Sequence, residues 1–346
     1  MDEQSNTISA FAKLGDFLNG MVPSENTQNE AVEQLQAVIA SAGRHNGWFT
    51  EASVLYALKQ WSQLLTTARL SHWVSPYKFN AASPKTIAII MAGNIPLVGF
   101  HDFLCVLLSG NKALCKLSSN DTQLLPHLAN MLIAYEPALK NRIEFTEGKL
   151  ENYDAVIATG STNTSRYFEY YFGKKPNIIR KNRTSVALLT GKETHAQLEK
   201  LGGDIFRYYG LGCRNVSKLF VPKGYDFDAF FKAMFSNKEV IEHHKYANNY
   251  DYNKAVYLMS DFKILDNGFM ILKQDEGLHS PISVLYFDYY DDLQSIGQLL
   301  HEQQENIQCV VSEIGLENEV SYGSTQNPNL DDYADGVNTL QFLSNL

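Results

Sequence analysis

The chain has 346 residues and carries 29 basic and 38 acidic side chains, for a net charge of −9. This length predicts two domains that each bury their own core, and the acidic balance without a basic arm argues against nucleic acid as the main partner. The four cysteines lack paired spacing, and the sequence shows no secretory signal pattern. No apolar run approaches the roughly 18 residues of a membrane span. We therefore predict a cytoplasmic protein without a transmembrane segment.

The first 75 residues or so contain apolar side chains at helical spacing. Three stripes each lie on one predicted helix face: Ile8, Phe11, Leu14 and Leu18; Val32, Leu35, Val38 and Ile39; and Val54, Leu58, Trp61 and Leu65. We predict that these stripes face the core and do not contact a cofactor.

From Lys85 onward, apolar runs of strand length alternate with helical stretches, which is typical of βαβ units and a parallel sheet. The strand-like runs are Thr86 to Met91, Lys112 to Lys116, Asp154 to Thr159 and Ser185 to Leu189, and two clear helical ones are Leu97 to Leu108 and Leu124 to Tyr135. Ligands of such sheets bind beyond the carboxyl ends of the strands, so we expect binding residues in the loops after Met91, Lys116 and Thr159.

The loop after Met91 has the sequence MAGNIPL and leads into an apolar helix. Gly93, Asn94 and Pro96 indicate a turn at the edge of the crevice, where the Asn94 amide is available to stabilise a developing oxyanion. Asn94 is equally a residue type that caps a helix N-terminus, and this loop alone does not separate the two roles.

Two further loops contain candidate cofactor contacts. Lys116 and Ser118, in ALCKLSS, end an apolar strand. A lysine there suits phosphate or ribose hydroxyls, although a solvated strand end is the commoner explanation.

The segment TGSTNTS, Thr159 to Ser165, places Gly160 and Ser161 before a helix, where N–H and hydroxyl groups can hold a phosphate. It is neither a P-loop nor a GxGxxG fingerprint.

The run FGKKPNIIRKNR contains five cations between Lys174 and Arg183. Such a run is usually a solvated face. Beside a candidate nucleotide loop, it can also hold a polyanion such as a coenzyme phosphate.

Cys213 is the candidate nucleophile. It lies in YYGLGCRNV, Tyr208 to Val216, where the glycines give backbone freedom and let a substrate approach closely. Arg214 and nearby N–H groups favour the thiolate, which is the attacking form. Free cysteine is also a common buried residue, and Cys105 in FLCVLLSG and Cys115 in KALCKLS fit that packing role.

The ordered series NIPL, KLS, TGST and GLGC resembles the aldehyde dehydrogenase superfamily, and more closely its acyl-CoA reductase branch, the LuxC-type fatty-acyl-CoA reductases. The resemblance covers about Lys85 to the C-terminus, including a tail from Tyr322 to Leu343. It implies an α/β fold with N-terminal helices, a Rossmann-type nucleotide-binding domain and an α/β catalytic domain. We therefore expect helices and NAD(P) binding in residues 1–184, catalysis in 185–320, and a segment 321–346 that packs back on the fold or the assembly.

The resemblance also implies roles for single residues. Cys213 would accept the acyl group, and Asn94 with the Cys213 backbone N–H would form the oxyanion hole. The implied cofactor contacts are Lys116, Ser118, Gly160 and Ser161. The lysine would meet the adenosine ribose or its 2′-phosphate, and the last two would line the pyrophosphate. No metal site is implied.

The chain departs from the family pattern in several places. Ser165 stands where many relatives have a second glycine, and the run NIIRKNR lacks the glutamate that the dehydrogenases carry on the matching strand. Glu276, upstream of Ser280-Pro281, is one residue out of register with the family's ribose-contacting glutamate, so we assign it no role. The chain is also shorter than typical relatives, which leaves its oligomerisation elements undefined.

The implied activity is the NAD(P)H-dependent reduction of a long-chain fatty acyl-CoA to the aldehyde through a Cys213 thioester. The basic run favours NADPH over NADH. Two alternatives stay open: a cysteine acyltransferase or thioesterase without nicotinamide chemistry, and a catalytically idle relative that acts as a binding partner. Beyond acyl-CoA, we expect an acyl-transferring or acyl-activating protein as a partner, and a homo-oligomer.

Overall fold

Contacts within the chain define two units. The computed structural model describes residues 3–21, 30–80, 83–160, 162–316 and 319–346, without the side chains of residues 162 and 163. The first unit contains Met1–Lys181 and Asn329–Leu346, and the second contains Asn182–Pro328. The cofactor-binding and catalytic roles expected for the two parts of the chain stay predictions.

Four helices begin the first unit: α1 Glu3–Asn19, α2 Glu30–His45, α3 Glu51–Leu64 and α4 Thr67–Val74. Thr50 and Thr66 cap the starts of α3 and α4, because each side chain accepts a hydrogen bond from the backbone N–H three residues later. The predicted stripe on α1 is buried, with Phe11 and Leu14 fully enclosed, which confirms that this periodicity marks a core face. The third stripe runs one residue past its helix, since Leu65 follows the end of α3.

A five-stranded parallel sheet forms the rest of this unit. Its strands are β1 Thr86–Ile90, β2 Lys112–Lys116, β3 Ile143–Phe145, β4 Ala155–Thr159 and β5 Asn177–Arg180, connected in part by α5 Phe100–Leu108, α6 Leu124–Tyr135 and α7 Thr162–Phe172. The strand order is β3-β2-β1-β4-β5, so the direction of progression reverses at β1. In such sheets the ligand crevice lies at this reversal, beyond the carboxyl ends of β1 and β4.

The last residues of the chain, 329–346, belong to the first unit and pack around Arg180. This side chain is buried at the end of β5 and pairs with Asp102 of α5, with Nη2 and Oδ1 2.6 Å apart. It also donates to the Ala334 carbonyl (2.6 Å) and to Thr339 Oγ1 (3.0 Å), at the start of α12 Thr339–Ser344. A buried guanidinium needs such partners because an unpaired charge in the core is costly.

The second unit is built on a seven-stranded sheet of order β12-β11-β6-β7-β10-β9-β8. Its strands are β6 Thr184–Leu188, β7 Val216–Pro222, β8 Ile264–Asp266, β9 Ile271–Gln274, β10 Val284–Tyr290, β11 Ile307–Val311 and β12 Glu319–Val320, and its helices are α8 His195–Phe206, α9 Phe227–Met234, α10 His244–Met259 and α11 Leu293–Glu302. Neighbouring strands are parallel except β8, which is antiparallel to β9. The mixed α/β architecture with N-terminal helices confirms the predicted fold class.

None of the helices in the described part of the chain combines the length and the apolar content that crossing a membrane would require.

Candidate active site

The turns after β1 and β2 touch each other at the crevice of the first unit. Gly93 packs so closely on Ser118 that a Cβ at position 93 would lie 2.6 Å from the serine Cβ and Oγ. Only glycine fits this contact without displacing the neighbouring turn. The sheet therefore brings together two of the three loops in which the sequence predicts binding residues.

Asn94 does not cap the helix that follows. Its side chain is exposed, and α5 begins only at Phe100, with Gly99 at the N-cap position and no side-chain cap. The predicted helical stretch starts three residues too early because Leu97 adopts a left-handed backbone, with φ at 58°. The capping alternative for Asn94 is thus wrong, and its amide stays a candidate for the oxyanion role.

Two buried polar residues that the sequence did not single out hold the turn after β1. Asp121 accepts a hydrogen bond from the Leu97 backbone N–H (3.4 Å), and burial raises the pKa of its carboxyl group. Asn46, which follows α2, reaches the Gly93 carbonyl with Nδ2 at 3.4 Å. Neither lies in a recognisable motif, so no sequence signal points to them. They fix the turn that presents Asn94.

Lys116 and Ser118 both lie at the carboxyl end of β2, as predicted. The ammonium of Lys116 donates to the Gly148 carbonyl at 2.7 Å, and Ser118 Oγ accepts from the Asn120 backbone N–H at 3.2 Å. Both hydrogen bonds are exposed; the first joins residues 32 positions apart and the second lies within the turn. A cofactor contact through these side chains stays a prediction.

Gly160 lies between β4 and the start of α7, at the crevice. A Cβ at this position would come within 2.9 Å of the Phe168 ring and 3.0 Å of Thr164 Cβ. The predicted contact Ser161 lies outside the described residues. Since α7 begins at Thr162, its first backbone N–H groups lie beside the crevice, where such groups bind phosphates in other proteins.

The basic run does not form one cation cluster. Arg180 is committed to its buried ion pair, and Lys181 contacts Glu169 at 3.4 Å on the surface. Lys175 lies over the Tyr153 ring, 4.2 Å from its centroid. Lys175 and Lys181 therefore fit a solvated face. Arg180 fits neither a solvated face nor a polyanion site, because it is buried and paired.

In the second unit, Cys213 occupies the turn directly before β7. Gly210 and Gly212 both have left-handed φ angles, 82° and 94°, as the predicted backbone freedom requires. The Cys213 carbonyl accepts a hydrogen bond from Ser185 Oγ of β6 at 3.1 Å. Cys213 is partly exposed, whereas the other three cysteines are buried. It is therefore the most exposed of the four thiols.

The two residues after Cys213 are held beside it. Arg214 donates from Nη1 to the Cys309 sulfur of β11 at 3.3 Å. Asn215 is buried, and its side chain lines a cavity of about 20 Å³ together with Tyr209 and Tyr246. That volume is room for about one water molecule. Within the described residues, Asn215 Oδ1 has no hydrogen-bond partner.

A family model described as acyl-CoA reductase (LuxC) matches residues 64–270. The match covers more than half of the chain and includes the turns after β1, β2 and β4 as well as the Cys213 turn. The chain belongs to the LuxC acyl-CoA reductase family. It is accordingly an oxidoreductase of the class that acts on acyl and aldehyde groups, which confirms the predicted enzyme class.

Solved aldehyde dehydrogenase structures share the fold of this LuxC-family chain at low sequence identity. Aldehyde dehydrogenase 21 of Physcomitrella patens, in complex with succinate, is similar with a TM-score of 0.65 and 10% identity, over 90% of this chain and 74% of that one. The indole-3-acetaldehyde dehydrogenase of P. syringae, bound to NAD+, is similar with a TM-score of 0.66 and 12% identity, over 91% of this chain and 73% of that one. An NADP-dependent enzyme of E. coli is similar with a TM-score of 0.63 and 12% identity, over 89% of this chain and 74% of that one. No curated protein matches the chain.

Proposed function

We propose that this protein reduces a long-chain fatty acyl-CoA to the aldehyde, with NAD(P)H as reductant and Cys213 as the acyl carrier. The observation that supports this most directly is the acyl-CoA reductase family match, which contains the Cys213 turn. The partial exposure of this one cysteine agrees with a nucleophile that must meet a large substrate.

In the first half-reaction, the Cys213 thiolate attacks the thioester carbonyl carbon, and a new C–S bond forms. The Asn94 amide and the Cys213 backbone N–H stabilise the oxyanion of the tetrahedral intermediate. When the intermediate collapses, the bond to the CoA sulfur breaks and CoA leaves as the thiolate. The acyl group then stays on Cys213 as an enzyme thioester.

The donor groups at the crevice of the first unit fit a nicotinamide dinucleotide. The N-terminus of α7 offers backbone N–H groups for the pyrophosphate, beside Gly160. Ser161 is the second proposed contact there. Lys116 and Ser118 offer an ammonium and a hydroxyl group for the adenosine ribose. When bound, NAD(P)H would supply a hydride to the thioester carbonyl carbon. The C–S bond to Cys213 breaks, so that the aldehyde leaves and the Cys213 thiolate is regenerated. NADPH is favoured because a 2′-phosphate needs a nearby cation, and Lys116 provides one.

One assay separates this function from its alternatives. The protein is mixed with NADPH and a long-chain acyl-CoA, and the nicotinamide absorbance and free CoA are followed together. A reductase consumes NADPH and releases CoA in equal amounts. A thioesterase or acyltransferase releases CoA without consuming NADPH, and an idle relative does neither.

Lys116→Ala is expected to weaken NAD(P)H binding by about 10- to 100-fold, because a hydrogen bond to a charged group contributes about 1.5–3 kcal/mol. Fluorescence titration of the nicotinamide measures this, and acylation of Cys213 should hardly change. Lys112→Ala, at the exposed amino end of the same strand, is the matched control. Equal losses of cofactor affinity and acylation would mean that Lys116 supports the fold through its bond to Gly148.

The acyl-enzyme is expected to resist hydrolysis. General base catalysis typically contributes about 10² to 10⁴ in rate, and the β5 sequence Asn177–Arg180 offers no carboxylate to activate water. Free fatty acid should therefore leave the isolated acyl-enzyme at least about 10²-fold more slowly than turnover. The measurement is fatty acid release in buffer without cofactor.

A histidine that supplied the base would contradict this expectation. His101 packs against Trp73 in the first unit and donates to the Leu330 carbonyl at 2.8 Å, so its Nε2 is engaged. His279 is the better candidate, because partial burial lowers its pKa and favours the neutral imidazole. If fatty acid release matches turnover, His279→Gln should suppress it.

A further inference from the structure

The backbone before Cys213 is strained. Tyr208 and Tyr209 both have left-handed dihedral angles, with φ at 55° and 59° and ψ at 28° in each. Non-glycine residues seldom adopt this conformation, and then as single residues, because Cβ approaches the following carbonyl oxygen. With Gly210 and Gly212, four of the five positions from 208 to 212 are left-handed. Surrounding structure must hold such a backbone in place.

One aromatic stack contributes to that support, beside a wider ring contact between Tyr209 and Tyr246 with centroids 6.4 Å apart. The Tyr209 ring lies on the His243 ring, with centroids 4.1 Å apart and planes inclined by 30°. His243 is itself fixed, because its Nδ1 accepts a hydrogen bond from the Tyr246 backbone N–H as the N-cap of α10. Tyr246 is buried and donates its hydroxyl to the Phe269 carbonyl at 3.0 Å. The strained turn is thus anchored to the start of α10.

The turn also borders a space of about one water molecule. Tyr209, Gly210 and Asn215 line the small cavity described above. Two backbone hydrogen bonds lie within the turn, from Leu211 N to the Tyr208 carbonyl and from Asn215 N to the Gly212 carbonyl. Ser185 Oγ of β6 also donates to the Cys213 carbonyl at 3.1 Å. Loss of the stack would remove a tertiary contact that favours the left-handed conformation at Tyr209, and the residues that follow would shift.

We propose that Tyr209 and His243 are positioning residues that hold this left-handed backbone and so aim the Cys213 thiol at the acyl carbonyl. This inference rests on the proposed function, in which Cys213 is the nucleophile. Neither ring touches the reacting atoms. Their effect is on nucleophile placement, where a misplacement of about 1 Å can cost on the order of 10²-fold in rate.

Two variants remove the stack in different ways. Tyr209→Gly deletes the ring at a position where glycine adopts the φ angle without steric strain. His243→Asn deletes the imidazole but keeps an N-cap residue for α10. Each should slow single-turnover acylation at saturating acyl-CoA by about 10- to 100-fold, with little change in the acyl-CoA KM. Tyr209→Phe, which keeps the stacked ring, should restore the rate.

The control is Asp261→Gly, which relieves another left-handed residue of the second unit, in the exposed turn after α10. It should leave acylation unchanged. Melting temperature is measured for every variant, and a loss of acylation that merely follows a fall in melting temperature, in both stack variants, would overturn the proposal. Wild-type acylation rates in folded Tyr209→Gly and His243→Asn would overturn it as well.

Alkylation of Cys213 by iodoacetamide separates this inference from the proposed function, because it requires no acyl-CoA. If the wild type is not acylated at Cys213, the proposed function fails whatever the variants do. If acylation at Cys213 is normal in the wild type, and both stack variants match it in acylation and in alkylation, only the positioning role fails.

Discussion

Replacing Cys213 with alanine is expected to abolish acylation and to reduce NADPH consumption to background. Loss of the nucleophile in a covalent mechanism costs on the order of 10⁶ in rate. The other three thiols are buried and therefore poor substitutes. Burial also raises the pKa of Cys105 and of Cys115, which favours their protonated forms. Mass spectrometry of peptides after incubation with acyl-CoA alone should find one acyl group on the Cys213 peptide of the wild type and none in the variant.

Cys115→Ala is the control for this experiment, since its sulfur is buried in β2. The variant should still carry the acyl group on Cys213. An acyl group on Cys105, Cys115 or Cys309 in the wild type would show that the nucleophile is assigned to the wrong residue.

Asn94→Ala is expected to slow acylation by on the order of 10² to 10³, because removal of one oxyanion donor costs about 2.7–4 kcal/mol of transition-state stabilisation. Stability should hardly change. Asn94 is exposed and is not the N-cap of α5, and surface substitutions of this kind usually stay within about 0.5 kcal/mol. Single-turnover acylation rates and melting temperatures, measured side by side, give both quantities.

Asn130→Ala offers a matched control, as an exposed asparagine of α6 in the same unit. It should leave acylation unchanged. If Asn94→Ala instead lowers the melting temperature by several degrees and acylates normally, the side chain supports the turn after β1 and does not stabilise the oxyanion.

Much of the fold follows from local sequence patterns. The apolar run Thr86 to Met91 predicts β1 within one residue, and Leu124 to Tyr135 matches α6, because side-chain periodicity and local turn residues define such elements. The start of α5 could not be predicted in this way. Leu97 takes a left-handed conformation inside a tertiary arrangement that includes Asp121, and nothing in the residue type signals it.

The residues of the candidate site were likewise predicted from local sequence only in part. The sequence by itself identified Asn94, Lys116 and Gly160 as candidates, because amide, ammonium and glycine groups follow apolar runs at predicted strand ends. It identified Cys213 because glycine and polar residues surround this thiol. It also favoured the acyl-CoA reductase family, which the family match confirms. The roles of these residues stay predictions.

Only the tertiary structure decided which distant residues support that chemistry. Arg180, part of a basic run in the sequence, is a buried partner of Asp102, 78 positions away. Tyr209 meets His243 only because the sheet of the second unit brings the Cys213 turn and α10 together. Local propensity acts over a few residues, whereas ion pairs, ring stacks and strained turns depend on contacts between residues far apart in the chain, which packing of the folded chain alone creates.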